Sequence, residues 1–494
     1  MDFVLALPLS VVLGLVLFQA HRFLTTRNAR LPPGPPRLPI IGNLLDIGDR
    51  PHKSMARLAK VHGPLMSLKL GQVTTIVISS PSLAKEILQK YDSVLSNRYL
   101  PDAARGLDHH EISITWLPVG PLWRNLRKIC NSYILTPQKL DANQELRRKK
   151  VHKLLADVQQ HCLAGQAVDI SQVVCKAIFN SLSNTIFSLD LFDPSSETSH
   201  KDAVRGIMVE LGRPNLGDYF PILRYLDLQG IRGRLETHAV KLFDIYDRII
   251  NERLQSRRVE GYVPKNDMLE TLLSISEEDS DIMDNNLIKH LIVEIITPGS
   301  DTSTSTIEWA MAELLRHPRT LRKAREELDK IIGRENMVQE SDIAHLPYLQ
   351  AIIKETLRLH PAGPLLAPRE ASEEVELCGF TIPKGAKVLV NVWAIGRDPS
   401  TWEDPESFVP ERFLGSNIDV KGHNFELIPF GAGRRICPGL PLAIRMAHLI
   451  LGSLLHSFDW QLEDGTTPEN MDMEDIFGLT LAKAEPLRAI PIQP

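Results

Sequence analysis

Phe430-Gly431-Ala432-Gly433-Arg434-Arg435-Ile436-Cys437-Pro438-Gly439 is the stretch around which the rest of the chain is organised. One cysteine sits among glycines, follows two arginines and precedes the apolar helical pattern Leu440 to Leu455, so its sulfur is expected at a helix N-terminus. Unpaired backbone N–H groups and the positive end of the helix dipole favour an ionised sulfur there. The glycines let the backbone turn tightly around that sulfur, and the arginine two residues earlier suits an acidic group on a bound cofactor. A cofactor that takes one anionic sulfur and carries carboxylates is haem. On the cysteine alone, a buried thiol in a Gly-rich turn before a helix is the alternative.

The spacing Phe430, Gly433, Arg435, Cys437, Gly439 resembles the cysteine-ligand loop of the cytochrome P-450 family, the haem-thiolate monooxygenases. The resemblance implies a mainly α fold with a smaller β region and a single N-terminal membrane anchor. It also implies that these five residues bind haem b, iron protoporphyrin IX, with Cys437 as the axial metal ligand.

Length and composition agree with one large catalytic unit. The chain has 494 residues and no long polar linker, so a single large domain fits better than several ordinary ones. A net charge of -5 carries no nucleic-acid footprint. The five cysteines, Cys130, Cys162, Cys175, Cys378 and Cys437, are odd in number and lack metal spacing, which argues against a disulfide framework and for a reducing compartment.

Phe3 to Ala20 is a run of 18 residues without a charge, close to the length of a bilayer-crossing helix. Arg22, Arg27 and Arg30 follow it, so the catalytic part is expected on the cytoplasmic side. A cleaved signal peptide is the rival, but no small-x-small cleavage site is clear. The expected organisation is an anchor helix over 1–22, a basic and proline-rich hinge over 23–48 and a haem-thiolate domain over 49–494. Leu31-Pro32-Pro33-Gly34-Pro35-Pro36-Arg37-Leu38-Pro39 cannot be helical and should be a stiff extended spacer. It also resembles the hinge of the membrane-bound family members, which implies a single-pass protein of the endoplasmic reticulum.

Farther on, His52 to His62 reads as a helix, and Leu65–Leu70 with Val73–Ser79 as a hairpin about Gly71-Gln72. Trp123 and Arg127 are four apart on one helix face. Spacing alone makes this a solvated basic face; the family resemblance makes the pair a haem-propionate site. Leu146 to Arg258 is helical in period, broken at Pro214 and at Gly217 to Pro221, and by resemblance roofs the substrate channel.

Leu291 to Ser303 carries Thr297-Pro298-Gly299-Ser300-Asp301-Thr302. Splitting O2 on iron needs two protons, which calls for an acid beside a hydroxyl, and Asp301 and Thr302 supply that catalytic pair. The run is similar to the oxygen-activating helix of the family, except that Pro298 stands where Ala or Gly is usual. Proline there removes the hydrogen bond to the Glu294 carbonyl and kinks the axis. Without the downstream cysteine, the same residues read as a helix start capped by Asp301.

Pro347 to Leu359 reads as a helix whose Glu355 and Arg358 lie off the apolar stripe, so periodicity makes them a solvated pair. The resemblance implies instead that Glu355 and Arg358 join Arg412, in Pro410-Glu411-Arg412-Phe413, in a structural ion network behind the haem. Arg369 is a candidate for the second propionate, with a surface arginine as the alternative. Lys387 to Val392 reads as a strand and Phe477 to Leu481 as a turn near the pocket.

The resemblance is closest to plant microsomal terpenoid hydroxylases of the geraniol 8-hydroxylase type, on Gly71 to Ser79, Pro214 to Pro221 and Phe425 to Phe430. It implies insertion of one oxygen atom of O2 into a C–H bond, with NADPH used through a separate cytochrome P-450 reductase. No nucleotide-binding glycine fingerprint is present. Arg124, Lys128, Arg434 and Arg445 are expected to face that acidic partner. Ile112, Ile114, Met208, Leu211, Ile295, Ile296, Leu365, Leu366 and Leu479 are the expected pocket lining. They suit a monoterpenol such as geraniol, and also a sesquiterpenoid, diterpenoid or phenolic substrate. A haem-thiolate isomerase of preformed hydroperoxides, or a non-catalytic haem or sterol carrier, are readings from other classes.

Overall fold

A 32-residue helix, Asn285–Arg316, runs through the middle of the computed structural model. Residues 30–192, 200–279, 283–463 and 465–493 are described. The Asp284 side chain caps the helix by accepting the Leu287 N–H at 2.7 Å, satisfying one of the unpaired donors of the first turn. The helix therefore begins well before Asp301, and the reading of Asp301 as its cap is set aside. Four hydroxyls of its centre are satisfied within the helix, while Ser305 donates to the Leu481 carbonyl at 2.8 Å. Ser300, Thr302, Thr304 and Thr306 donate to the carbonyls of Ile296, Pro298, Ser300 and Thr302, which lets polar side chains sit inside a core.

Past that centre the helix becomes wholly buried, with Ile307, Trp309, Met311 and Leu314 at 0% exposure. It packs against helices Ile170–Phe187, Pro347–Leu359 and Leu440–Ser457. Its N-terminal half borders a second apolar core built from Trp123, Phe179, Ile207, Tyr246 and Ile292. Leu440–Ser457 is long and apolar enough to cross a membrane, with mean hydropathy 1.3. Ile450, Leu451, Leu454 and Leu455 are nonetheless fully enclosed, so it is a core helix.

The main sheet positions the site. Leu65–Leu70 and Val73–Ile78 form the expected antiparallel hairpin, with Gly71 at φ +58° in the turn. Lys387–Val390 lies parallel to the second of these strands and is followed outward by Arg369–Glu370 and Asn97–Arg98. In that last pair Arg98 is registered directly against Arg369. Helices Pro51–His62 and Pro347–Leu359 form where the periodicity predicts them. The middle third breaks as expected, His200–Gly212 ending before Pro214 and Ile231–Arg257 resuming the helical path.

The expected anchor over 1–22 lies outside the described residues. From Arg30 onward the proline-rich stretch is extended, as expected, but it is no free spacer. Ser67 donates its N–H to the Pro33 carbonyl at 2.8 Å and its hydroxyl to the Pro32 carbonyl at 2.7 Å. Gly34 lies so close to the Ser67 carbonyl that a Cβ would collide with it.

Candidate active site

The cysteine loop turns as its glycines allow. Gly433 is at φ +70° and lies against the Leu88 carbonyl, where a Cβ would collide; Gly433 is therefore required by backbone packing and does not line the cavity. The Cys437 N–H donates to the Phe430 carbonyl at 3.0 Å. Its sulfur faces a cavity of about 380 Å³ shared with Phe430, Gly439, Arg435, Arg127 and Trp123. Burial pushes the Cys437 thiol up, and the Gly439 and Leu440 N–H groups and Arg127 pull it back only in part. The helix N-terminus thus contributes as expected but does not by itself make a thiolate, a task for a coordinated metal ion.

Four guanidinium groups converge on this cavity: Arg98, Arg127, Arg369 and Arg435. Arg435 donates to the Ser96 carbonyl at 2.9 Å and to the Ile114 carbonyl at 3.2 Å. Arg127 donates to the Ile436 carbonyl at 2.9 Å, and the Trp123 indole to the Ile114 carbonyl at 3.0 Å. Arg369 pairs with Asp92 at 3.1 Å. Arg98 donates to the Ala367 carbonyl at 2.7 Å, while its Nε has no partner. Burial and then the neighbouring arginines lower Arg98 well below the usual guanidinium range and Arg435 to about 10. Such a crowd of desolvated cations with an unpaired donor fits a ligand edge bearing two carboxylates, as haem has. Arg98 gives no signal in the sequence because its strand, Asn97–Arg98, is too short to show a period, and only sheet register brings it beside Arg369.

The long helix forms the opposite wall through Glu294, Ile295, Pro298, Gly299, Thr302 and Ser303. The Thr302 hydroxyl donates to the Pro298 carbonyl at 2.7 Å. Asp301 does not line the cavity. Its carboxyl faces Thr480 and, mainly through burial, is held above the usual carboxylate range. The acid and the hydroxyl are neighbours in sequence but point in different directions, because adjacent helix positions lie about 100° apart. Helical geometry continues through Pro298.

The sequence pattern of cytochrome P450 matches residues 32–487. The chain is 50% identical to geraniol 8-hydroxylase of Catharanthus roseus, covering 99% of each. It is 48% identical to drimenol monooxygenase of Persicaria hydropiper over 99% of this chain and 97% of that one. This chain belongs to the cytochrome P450 family. The fold agrees: a zebra fish cytochrome P450 solved with progesterone superposes with a TM-score of 0.76 at 26% identity, covering 90% of this chain and 99% of that one. This P450 is accordingly a monooxygenase, and its family and fold imply a haem held by a cysteine thiolate.

In this P450 the Glu355–Arg358 pair is wholly buried, against the helical-wheel reading. Arg358 forks onto the Glu355 carboxylate at 2.7 and 2.8 Å, and Arg412 reaches the same carboxylate at 3.0 Å. Arg358 also donates to the Pro405 carbonyl at 2.7 Å and the Ser407 carbonyl at 3.0 Å. The segment 396–412 covers a face of the helix that periodicity assigned to solvent, and its carbonyls need donors.

Of the expected pocket lining, Ile114, Ile295 and Leu366 face the cavity of this P450. Ile296 is fully enclosed in the second core, and Leu365 packs with Met66, Val77 and Leu389 behind the sheet. Each is the sequence neighbour of a lining residue and points elsewhere, for Ile296 because adjacent helix positions lie about 100° apart. Ile112 and Leu211 pack against the second core, and Met208 is buried outside the lining. Leu479 is 40% exposed, with its backbone against Gly212. Leu182 and Ile178, from a helix that showed no site signal in sequence, line the cavity instead. Of the four basic residues expected to meet a reductase, Arg124 and Lys128 are exposed. Arg434 is paired with Asp92 at 3.3 Å, and Arg445 with Asp141 at 2.6 Å and Glu340 at 3.2 Å.

Proposed function

We propose that this P450 hydroxylates a small terpenoid, with geraniol the first candidate, using O2 and NADPH through a separate reductase. The carrying observation is a single mostly apolar cavity that has the Cys437 sulfur and the Thr302 hydroxyl on its walls. The likeness to geraniol 8-hydroxylase supports the substrate class. Phe3 to Ala20 serves as the anchor that holds the catalytic domain at the cytoplasmic face of the endoplasmic reticulum.

Cys437, bordered by Phe430 and Gly439, would supply the sulfur ligand of a haem, and Arg98, Arg127, Arg369 and Arg435 would hold its carboxylate edge, with Trp123 stacked beneath Arg435. When bound, the haem supplies O2 activation and oxygen insertion into a C–H bond. Thr302 holds a hydroxyl proton at the cavity wall, and Asp301 keeps a carboxyl behind it whose raised pKa suits it to return protons. Ile114, Leu182, Ile295 and Leu366 exclude water and orient an apolar skeleton.

The test is co-expression with a reductase, a reduced carbon monoxide spectrum, and product analysis with geraniol and drimenol. An oxygenated geraniol formed only with NADPH and O2 is expected. Oxidation of drimenol alone would favour the larger substrate, which the likeness to drimenol monooxygenase supports. Rearrangement of an added organic hydroperoxide without NADPH would favour the isomerase, and no product from either terpenoid would remove the substrate class.

A further inference from the structure

Two side chains one helical turn apart, His290 and Glu294, reach from the long helix towards the segment that precedes Trp123. His290 Nδ1 lies 2.6 Å from His109 Nδ1, with the rings stacked at 4.9 Å. The Glu294 carboxylate accepts the Ile114 N–H at 2.6 Å, the Thr115 N–H at 3.0 Å and the Ser113 hydroxyl. His109 Nε2 stands 3.7 Å from the same carboxylate. Three successive residues of one loop thus converge on one buried carboxylate.

The far side of that loop is held as well. The Ile114 carbonyl accepts from both the Trp123 indole and Arg435. Ile114 therefore has its N–H tied to the long helix and its carbonyl tied to the arginine-rich edge. Its side chain lines the cavity, as does Ile295, the neighbour of Glu294.

We propose that Glu294 is a positioning residue for selectivity, clamping Ser113–Thr115 to the long helix and so setting where Ile114 stands against the bound substrate. This rests on the terpenoid-hydroxylase reading for its consequence, though the clamp itself does not. The carboxylate is occupied by loop donors, so it acts through the loop and not as a polar anchor for substrate. Burial opposes its ionisation, but His109 and the Ser113 and Thr115 donors outweigh burial and hold it below the usual glutamate range. Charge-assisted hydrogen bonds of this kind are the stronger ones.

Hydrogen–deuterium exchange on the intact holoenzyme reads the clamp without substrate. Glu294→Ala and the isosteric Glu294→Gln should speed exchange at the Ile114 and Thr115 amides by roughly ten- to a hundredfold, the factor a lost charge-assisted hydrogen bond carries. Ser113→Ala removes one donor to Glu294 and one of the two acceptors of the Thr115 N–H, but both amides keep their bonds to Glu294, so it should give a smaller change in the same direction, confined mainly to Thr115. With reductase and geraniol, the ratio of products oxidised at different carbons should shift by about threefold or more in the Glu294 variants, within the range that small apolar repositioning commands. Haem content serves as the control for folding.

Unchanged exchange in both Glu294 variants would overturn the clamp. Faster exchange with an unchanged product ratio would overturn its part in selectivity. Should the unsubstituted enzyme leave geraniol untouched, the terpenoid reading is what fails, and the exchange result still decides the clamp.

Discussion

The guanidinium of Arg435 stacks on the indole of Trp123, 4.6 Å from the ring centroid, and both side chains donate to the Ile114 carbonyl. A residue of the cysteine loop is thereby joined to a helix more than three hundred positions earlier in the chain. Trp123→Ala should remove the stacking and the indole donor together, a loss of about 2–3 kcal/mol by the usual worth of a desolvated cation–π contact and a hydrogen bond. Trp123→Phe keeps the stacking and should lose only about 1 kcal/mol. Haem retained per chain after purification is the measurement, with Ala below Phe below the parent. Arg98→Ala should also lower haem retention, and Arg98→Lys should recover little of it, since a point charge does not replace a planar fork.

Arg358→Ala would leave the fully buried Glu355 carboxylate with only Arg412 and the Val409 N–H. Breaking a buried pair on one side costs about 3–5 kcal/mol. The variant should accumulate as haem-free protein, without the reduced carbon monoxide spectrum of the parent. Arg358→Lys should behave similarly, because the fork onto Glu355 and the carbonyls at 405 and 407 cannot be reproduced by an ammonium.

Thr302→Ala removes the hydroxyl from the cavity wall and should raise peroxide released per NADPH consumed several-fold, with haem content unchanged. Asp301→Asn should slow turnover with less peroxide, since the carboxyl stands behind the wall and not on it. Peroxide and product measured in the same reaction separate the two, and equal coupling in the Thr302 variant and the parent would reject the hydroxyl as proton donor.

Glu308 lies on the buried part of the long helix, where burial raises its carboxyl to about 7 against the Leu487 N–H and Lys483, which lower it. A carboxyl with a raised pKa binds more protons folded than unfolded. Its ionisation therefore costs stability, with the loss setting in as pH rises above the unfolded value near 4.3 and complete above 7. Glu308→Gln keeps an acceptor for the Leu487 N–H, bonded at 2.9 Å in the parent. The substitution should raise stability by only about 1 kcal/mol at pH 5 and by roughly 2–4 kcal/mol at pH 8. Thermal loss of the haem spectrum at the two pH values is the readout.

Arg124 and Lys128 are the members of the basic set that are exposed and without an acidic partner in the ion pairs found among the described residues. Arg124→Glu and Lys128→Glu should slow reduction by the reductase and flatten its salt dependence, since rim charges act chiefly on association. Reversal at Arg445 should instead cost stability, because its partners Asp141 and Glu340 would be left facing a like charge.

How far the site was legible in the chain varies by residue. The cysteine loop could be read because a thiolate ligand demands glycine, arginine and cysteine within ten consecutive positions. Glu355 and Arg358 could not be read from periodicity, since the segment that buries them arrives from forty to fifty residues downstream. Asp301 and Thr302 were legible as a pair but not in direction. Arg98 and Glu294 gave no local signal, because one depends on sheet register and the other on a loop folding onto a helix from 180 residues away.

By itself the sequence determined everything that local chemistry dictates: the helical periods, the hairpin turn, the cysteine loop and the acid–hydroxyl neighbours. Tertiary structure alone decided which of those side chains meet: that four arginines crowd one cavity edge, that Asp301 turns away from the wall Thr302 lines, and that Ile114 is held from both sides. The physical reason is that hydrogen-bonding capacity and periodicity belong to a few consecutive residues, whereas burial and direction are set by whatever the rest of the chain packs against them.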